Sequence, residues 1–187
     1  MKIIKDCEFI KGKAPMTKEE IRTITLSKLE ISSNDNILDI GGGTGSIAIA
    51  LSKNTKGNVI TIEKDENACD LIKKNKEKFK CNNLKIIQGL APKDLNKKKI
   101  DKVFVGGTYG KMKEIFEYLD KYLLKKGIVV LNFITIENTY KALKELKKRN
   151  YMDLDISQIT ISKGKFIKDI TMMKTNNTIT IIKARKG

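Results

Sequence analysis

The sequence predicts a three-layer α/β/α domain, in which helices cover both faces of a mostly parallel β-sheet. Three observations lead to this class. Apolar segments with strand periodicity alternate with segments of helical periodicity, a glycine-rich turn joins the first strand to a helix, and a chain of 187 residues suits one domain. We therefore interpret residues 1–187 as a single domain, with residues 1–30 as an N-terminal segment and helix and residues 31–187 as the core.

The first predicted element is a helix near the start of the chain. The run Thr17-Lys18-Glu19-Glu20, which follows Pro15, has the form of a capping box. Ile21, Ile24 and Leu29 then recur at helical spacing, so they should face the core.

Hydrophobic periodicity sets the elements that follow. Strands are predicted at 36–40, 58–62, 84–88, 101–105 and 128–132, and helices at 45–53, 65–80 and 137–149. A further helix is predicted from Met112, Ile115, Phe116, Leu119 and Leu123, and Gly127 should end it. Residues 152–161 and 178–184 alternate as strands do, and the stretch 163–175 between them, which contains Gly164, is too short for a convincing helix. These last two strands should therefore pair antiparallel.

The glycine-rich turn Gly41-Gly42-Gly43-Thr44-Gly45 carries the strongest functional signal. Without a Cβ, its glycines can adopt positive φ and let a ligand lie against the backbone, while the helix that starts near Ser46 presents free N–H groups. Glu63 ends the next strand 22 residues after Gly41 (63 − 41), where a carboxylate typically accepts hydrogen bonds from ribose hydroxyls. The spacing G-x-G-x-G departs from the dinucleotide pattern G-x-G-x-x-G/A, which makes NAD the weaker interpretation.

Composition excludes several classes of site. The formal net charge is +16, but the basic residues are nearly all lysines scattered over helices rather than held in one patch with aromatic residues, so we do not expect nucleic acid as a partner. The absence of histidine excludes a histidine triad, and the three cysteines lack the spacing of a disulfide framework or a zinc site, so no metal is expected. No apolar stretch approaches the ~20 residues that a membrane span needs, and the charged start has no signal-peptide core. We therefore expect a cytoplasmic protein without a membrane partner.

Polar residues also follow the later strands. Ligands of parallel sheets bind beyond the carboxyl ends of the strands, which makes Thr108, Tyr109 and Asn132 candidates to orient a substrate. No catalytic acid or base is assigned. Thr135 and Glu137 either cap the helix that follows Asn132 or contact the substrate.

Asp39 followed by the G-x-G-x-G turn resembles motif I of the class I S-adenosylmethionine-dependent methyltransferases. The likeness then narrows, because segments along nearly the whole chain are similar to the decarboxylating cobalt-precorrin methyltransferase family of cobalamin biosynthesis. Those segments are Gly12–Arg22, Asp39–Gly45, Glu63, Gly89–Pro92, Val105–Thr108 and Asn132–Asn138. The Pro-Met-Thr-Lys-Glu-Glu run in the first segment and the Gly-Gly pair after the fourth strand are the most specific parts.

The resemblance implies a Rossmann-like fold with a seven-stranded, mostly parallel sheet whose last strand is antiparallel. It implies methylation of carbon 15 of a cobalt-precorrin with loss of carbon dioxide from the acetate on carbon 12, while S-adenosyl-L-methionine becomes S-adenosylhomocysteine. The tetrapyrrole would be the small-molecule substrate, and the family is typically a homotetramer. The cofactor-binding residues carried over by position, among which Thr17 would fold over the cofactor, are Thr17, Gly41, Gly42, Gly43, Thr44, Gly45, Glu63, Leu90 and Ala91.

Two alternatives stay open. One is a tRNA or ribosomal RNA methyltransferase with the same sheet, which the positive charge would favour. The other is a non-catalytic subunit that binds S-adenosylmethionine. Its only support is Leu90, because the family commonly has Asp at this position to meet the adenine amino group.

Overall fold

The computed structural model describes residues 2–187, in which strands and helices alternate. The helices are α1 (Glu19–Leu29), α2 (Ser46–Ser52), α3 (Glu66–Lys78), α4 (Met112–Tyr122) and α5 (Ile136–Lys148). The strands are β1 (Ile37–Ile40), β2 (Val59–Glu63), β3 (Leu84–Gln88), β4 (Ile100–Val105), β5 (Leu123–Phe133), β6 (Met152–Ile159), β7 (Ser162–Ile167), β8 (Ile170–Thr175) and β9 (Ile179–Arg185). Apart from α4 and β5, the elements with predicted bounds lie within two residues of those predictions.

Within the described residues the strands form a seven-stranded sheet and a separate hairpin. The sheet order is β3-β2-β1-β4-β5-β9-β6, and the neighbouring strands from β3 to β5 pair in parallel. β9 lies antiparallel between β5 and β6. The predicted fold class is therefore confirmed, including the antiparallel last strand.

Alternate residues along the strands supply two cores, one on each face of the sheet. On the first face, α1, α2 and α3 pack through side chains such as Leu29, Ile49 and Ile72. On the second face, α4 and α5 pack through Phe116 and Leu146. Helices therefore lie on both faces of the sheet, and the loops after the parallel strands meet at its carboxyl edge.

A buried arginine, rather than a capping box, holds the N-terminal segment to α1. The N-cap of α1 is Lys18, and no side chain in the described residues caps it, so the predicted capping box at Thr17 is wrong. The guanidinium of Arg22 instead donates to the carbonyl of Thr17 at 2.6 Å and to that of Ile4 at 2.5 Å. Because one buried cation satisfies both carbonyls, it fixes the two ends of the segment against the helix.

α4 is shorter and β5 is longer than the periodicity predicts. β5 begins at Leu123, which pairs with Ile100, so the prediction that the helix continues to Gly127 is wrong. The Nζ of Lys186, far along the chain, donates to three carbonyls at the end of α4 and so satisfies the free helix terminus. A Cβ at Gly127 would lie 2.6 Å from Leu123 Cδ1, so this glycine permits close packing rather than ending a helix.

The stretch that separates the last two sheet strands is itself a β-hairpin, made of β7 and β8. The periodicity does not predict it, because both strands are exposed along their full length and show no buried face. Its large apolar side chains are at least 39% exposed, and they are Phe166, Ile167, Ile170, Met172 and Met173. Lys163 in β7 forms an ion pair with Glu20 of α1 at 2.6 Å, which links the hairpin to the rest of the chain.

The connection from β3 to β4, residues 89–99, contains no helix. Leu95 and Ala91 from this loop pack with Ile60 and Ile87 on the second face of the sheet. β3 is an edge strand, and on this face its cover is a loop rather than a helix. Across residues 2–187 the structure has no helix with the length and apolar character needed to cross a membrane.

Candidate cofactor and substrate site

The glycine-rich turn follows β1 at the carboxyl edge of the sheet. Gly41, Gly43 and Gly45 have φ values of +87°, +53° and +80°, a region that side chains other than glycine rarely adopt. A Cβ at Gly41 would lie 2.7 Å from the backbone N of Gly107, and a Cβ at Gly43 would lie 2.7 Å from the carbonyl O of Pro15. The turn therefore needs glycine both for its conformation and for close backbone approach.

The N-terminal segment lies across this turn. The N–H of Thr44 donates to the carbonyl of Pro15 at 3.3 Å, and Ser46 Oγ donates to that of Thr17 at 3.4 Å. Asn75, a fully buried side chain of α3, accepts from the N–H of Ile10 at 2.8 Å and donates at 3.1 Å both to the carbonyl of Ile10 and to that of Thr44. The structure thus brings the predicted Thr17 to the glycine turn.

Two cavities meet at the glycine turn, and both are lined by Pro15, Gly41, Gly43 and Gly106. The first, which we call the Asn132 cavity, has a volume of about 370 Å³ and is also lined by Thr17, Ser46, Asn132, Thr135 and Asn138. The second, which we call the Glu63 cavity, has a volume of about 770 Å³ and is also lined by Lys11, Lys13, Glu63, Asn67, Lys74 and Tyr109. An extended ligand could therefore lie over the turn with one end in each cavity.

Glu63 is buried at the end of β2 and is surrounded by hydrogen-bond donors. Its Oε2 accepts from the N–H of Gly43 at 2.9 Å, which joins it directly to the glycine turn. Its Oε1 accepts from the N–H groups of Lys64 at 2.8 Å and Asp65 at 3.0 Å, and from the phenol of Tyr109 at 3.3 Å. These contacts place the predicted ribose-binding acid in the predicted position relative to the turn.

A third, much smaller recess lies next to the Glu63 cavity. Its volume is about 10 Å³, and its lining includes Leu90, Ala91, Thr108 and Tyr109. The N–H of Leu90 donates to Asp94 Oδ2 at 2.8 Å, so this amide already has a partner. The structure thus separates the three substrate-orienting candidates, because Thr108 and Tyr109 lie on the Glu63 side of the turn and Asn132 on the other.

Asn132 lines the cavity named after it, and its side chain has one hydrogen-bond acceptor without a partner in the described residues. Its Nδ2 donates to Thr25 Oγ1 at 2.8 Å, and that hydroxyl in turn donates to the carbonyl of Ile21 at 2.7 Å. Asn132 Oδ1 is buried and has no hydrogen-bond partner within residues 2–187. A buried carbonyl without a partner is costly, so a ligand N–H or O–H that reached it would stabilise the site.

Thr135 and Glu137 have different surroundings from Asn132. Thr135 is the N-cap of α5, and its hydroxyl accepts from the N–H of Asn138 at 3.4 Å, in agreement with the capping interpretation. Glu137 is exposed in the first turn of α5, where the positive end of the helix dipole stabilises its carboxylate.

Asp39 is completely buried beneath the glycine turn. Thr61 Oγ1 donates to its Oδ2 at 2.8 Å, while its Oδ1 has no partner in the described part of the chain. Burial, and to a smaller extent the negative charge of Glu63, raise the pKa of Asp39 to about 7. The carboxyl group below the turn is therefore poised between its neutral and charged forms near neutral pH.

Sequence reasoning missed the residues that hold this site in place, namely Arg22, Thr25 and Asn75. A signal was present for Asn75, which lies at helical spacing after the apolar residues Ala68 and Ile72. A polar residue in such an apolar stripe needs hydrogen-bond partners when it is buried. Nothing in the local pattern identifies those partners as Ile10 and Thr44, because they come from distant segments.

Comparison with known proteins agrees with this geometry. A family model described as the precorrin methyltransferase domain matches residues 8–186. A relative from Saccharolobus solfataricus, named as a probable cobalt-precorrin-6B C(15)-methyltransferase (decarboxylating), is 41% identical over 177 residues, which cover 92% of this chain and 89% of the relative.

Two solved structures share the fold over nearly their full lengths. Precorrin-6Y C5,15-methyltransferase from Geobacter metallireducens has a TM-score of 0.92 and 32% identity, and the match covers 98% of this chain and 97% of that chain. Precorrin-8w decarboxylase from Methanobacterium thermoautotrophicum has a TM-score of 0.91 and 28% identity, with coverage of 97% and 98%. The chain therefore belongs to the precorrin methyltransferase family.

Proposed function

We propose that this protein methylates carbon 15 of a cobalt-precorrin and removes carbon dioxide from the acetate on carbon 12, using S-adenosyl-L-methionine and releasing S-adenosylhomocysteine. Membership of the precorrin methyltransferase family supports this reaction. The observation that carries the proposal is the meeting of the Glu63 and Asn132 cavities at one glycine turn. This arrangement suits a nucleoside at one end and a second reactant at the other.

The residues around the turn fit S-adenosylmethionine. Glycine at positions 41 and 43 lets the turn approach the backbone of Gly107 and Pro15, which line the Glu63 cavity, and the hydroxyl of Thr44 is buried without a partner in the described residues. We assign the ribose to Glu63 and the amino-acid end to the turn and to Thr17. Because the N–H of Leu90 is bonded to Asp94, the backbone of Ala91 is the better candidate for the adenine contact. The full proposed set is Thr17, Gly41, Gly42, Gly43, Thr44, Gly45, Glu63, Leu90 and Ala91.

The substrate would lie on the Asn132 side of the turn. When bound, the cofactor supplies an already activated methyl group, so the protein can act mainly by orientation. We propose that Asn132 orients the macrocycle through its free carbonyl oxygen, held in place by Thr25. Lys11, Lys13 and Lys74 line the Glu63 cavity on the other side of the turn, so their positive charge would attract the substrate carboxylates at longer range rather than by contact in the Asn132 cavity.

The exposed hairpin supports a homo-oligomer, which we propose is a tetramer. A two-stranded hairpin is marginally stable alone in water, and this one exposes Phe166, Ile170, Met172 and Met173. A second copy of the chain would cover such a surface. We also propose that the protein acts in the cytoplasm, where its small-molecule substrate would be made.

An anaerobic assay with labelled S-adenosylmethionine and the cobalt-precorrin tests the proposed reaction. The expected product has gained one methyl group and lost one carbon dioxide. A product that has gained the methyl group but kept its carboxyl group would contradict the proposed decarboxylation. Cofactor binding without any product would favour the non-catalytic alternative, and methylation of RNA with steep salt dependence would favour the RNA enzyme.

Two variants test the role of Asn132. We expect Asn132→Ala to lower turnover about tenfold and leave the Kd for S-adenosylhomocysteine nearly unchanged, since it removes one hydrogen bond to the substrate. Thr25→Val is the comparison variant, because it removes the partner of Asn132 Nδ2 and keeps the Asn132 amide, so its turnover should fall less than that of Asn132→Ala. Ordinary turnover in Asn132→Ala at saturating substrate would refute this assignment.

A further inference from the structure

Tyr109 stands at the boundary between the Glu63 cavity and the small recess beside Ala91. It is 52% exposed, yet its phenol points inward and donates to Glu63 Oε1 at 3.3 Å. Its backbone φ is +46°, and the next residue, Gly110, has a φ of +81°. Because non-glycine residues seldom adopt this conformation, the loop holds the Tyr109 side chain at the site at some conformational cost.

The carboxylate of Glu63 has a free acceptor site on Oε2, which accepts only from Gly43, but none on Oε1, which already accepts three hydrogen bonds. Four donors reach the carboxylate, from the backbone of Gly43, Lys64 and Asp65 and from the phenol of Tyr109. An ionised carboxylate offers about four lone-pair sites. The Tyr109 bond is the longest of the four, and the other three come from backbone groups fixed by β2 and the glycine turn. A ribose carries two neighbouring hydroxyls, so one can bond the free site on Oε2 and the other can replace Tyr109, the most distant donor on Oε1.

The aromatic ring of Tyr109 has its own contacts. Lys64 Nζ lies 3.9 Å from the ring centroid, which is a cation–π contact. Burial and the charge of Glu63 raise the pKa of the Tyr109 phenol, which keeps it a hydrogen-bond donor at neutral pH. The recess beside the ring, about 10 Å³, is too small for an adenine, and Tyr109 is one of the residues that line it.

We propose that Tyr109 is a cofactor-binding residue, whose phenol occupies an acceptor site on Glu63 Oε1 until a ribose hydroxyl replaces it and whose ring then packs on the nucleoside. This inference rests on the proposed use of S-adenosylmethionine. A ligand that lacks ribose hydroxyls cannot replace the phenol and so gains nothing at Glu63. The bond therefore competes only with nucleoside ligands, so its loss should tighten their binding and leave the binding of free methionine unchanged.

Titration calorimetry with S-adenosylhomocysteine tests the proposal. Tyr109→Phe keeps the ring and removes the bond that must be broken, so we expect its Kd to fall about threefold to tenfold below the wild-type value. Tyr109→Leu also loses the aromatic surface, and its Kd should be about tenfold higher than that of Tyr109→Phe. Tyr140→Phe, at an exposed tyrosine on α5, is the matched control and should leave the Kd unchanged.

Tyrosine fluorescence gives a second readout, because the chain contains five tyrosines and no tryptophan. Release of a phenol from a carboxylate reduces quenching, so S-adenosylhomocysteine should raise the emission of the wild type and not that of Tyr109→Phe. An unchanged or higher Kd for Tyr109→Phe would refute the proposal that a ribose hydroxyl replaces the Tyr109 phenol at Glu63. Equal Kd values for the Phe and Leu variants would overturn packing on the nucleoside. A wild type that does not bind the ligand would overturn the proposed cofactor as well.

Discussion

Replacing Asn75 with alanine should detach the N-terminal segment from the glycine turn. The carbonyl of Thr44 is buried, and leaving it without a partner costs about 1–3 kcal/mol. The two bonds to Ile10 are partly exposed, so water can replace them and each is worth roughly 0.5–1.5 kcal/mol. Together these losses should lower the free energy of unfolding by about 3 kcal/mol. For a domain of this size that corresponds to a fall in Tm of about 9 °C.

Urea denaturation and titration with S-adenosylhomocysteine together test this reasoning. The Kd should rise at least about fivefold, because Asn75 joins the segment that carries Thr17 to the turn that carries Thr44. Asn82→Ala, an exposed asparagine just after α3, is the control and should change the free energy of unfolding by less than about 0.5 kcal/mol. A loss below about 1 kcal/mol in Asn75→Ala would refute the energetic argument. A large loss of stability with an unchanged Kd would refute the link to the cofactor.

Three further predictions concern burial, backbone space and assembly. Burial raises the pKa of Asp39 from 3.8 to about 7, so the stability that this group contributes is complete below about pH 4 and is lost by about pH 7. In urea titrations at several pH values, Asp39→Asn should remove up to about 4 kcal/mol of this pH dependence of the free energy of unfolding. Profiles of unfolding free energy against pH that run parallel in the variant and the wild type would contradict this prediction. Gly43→Ala, whose Cβ would meet the carbonyl of Pro15, should weaken S-adenosylhomocysteine binding at least about tenfold. Gly110→Ala should not, because Gly110 also has a positive φ, +81°, but its Cβ would meet no atom within 4 Å. Phe166→Glu should lower the mass seen by light scattering, and an unchanged mass would argue against the hairpin as the subunit contact.

The predictable part of the fold depends on periodicity and on spacing between strand ends. Glu63 and Gly41 could be placed together because parallel strands bring their carboxyl ends to one edge of the sheet. The local pattern predicts that Thr17 caps α1, but in the structure the buried Arg22 of that helix binds the Thr17 carbonyl and no side chain caps the helix in the described residues. The end of α4 could not be predicted, because the lysine that satisfies its carbonyls, Lys186, comes from the far end of the chain.

The spacing of residues along the sequence does not predict which side chains of the site form hydrogen bonds with each other. Tyr109 is predicted at a strand end, but its bond to Glu63 depends on the positive φ of the loop after β4. The hairpin that contains Phe166 escapes prediction for another reason. Strand prediction depends on a difference between a buried and an exposed face, and both faces of this hairpin are exposed.

The loop that covers β3 in place of a helix should also determine where the protein opens first. Amide hydrogen exchange measures such local opening, and edge strands with few buried side chains open at lower free energy than central strands. β3 and residues 89–99 should therefore exchange before β4 and β5, which are buried within the sheet. Since Leu90 and Ala91 lie in that loop, a bound nucleoside should slow exchange there more than in the centre of the sheet. Hydrogen exchange in residues 89–99 would then report nucleoside binding and local opening of this loop as one coupled equilibrium.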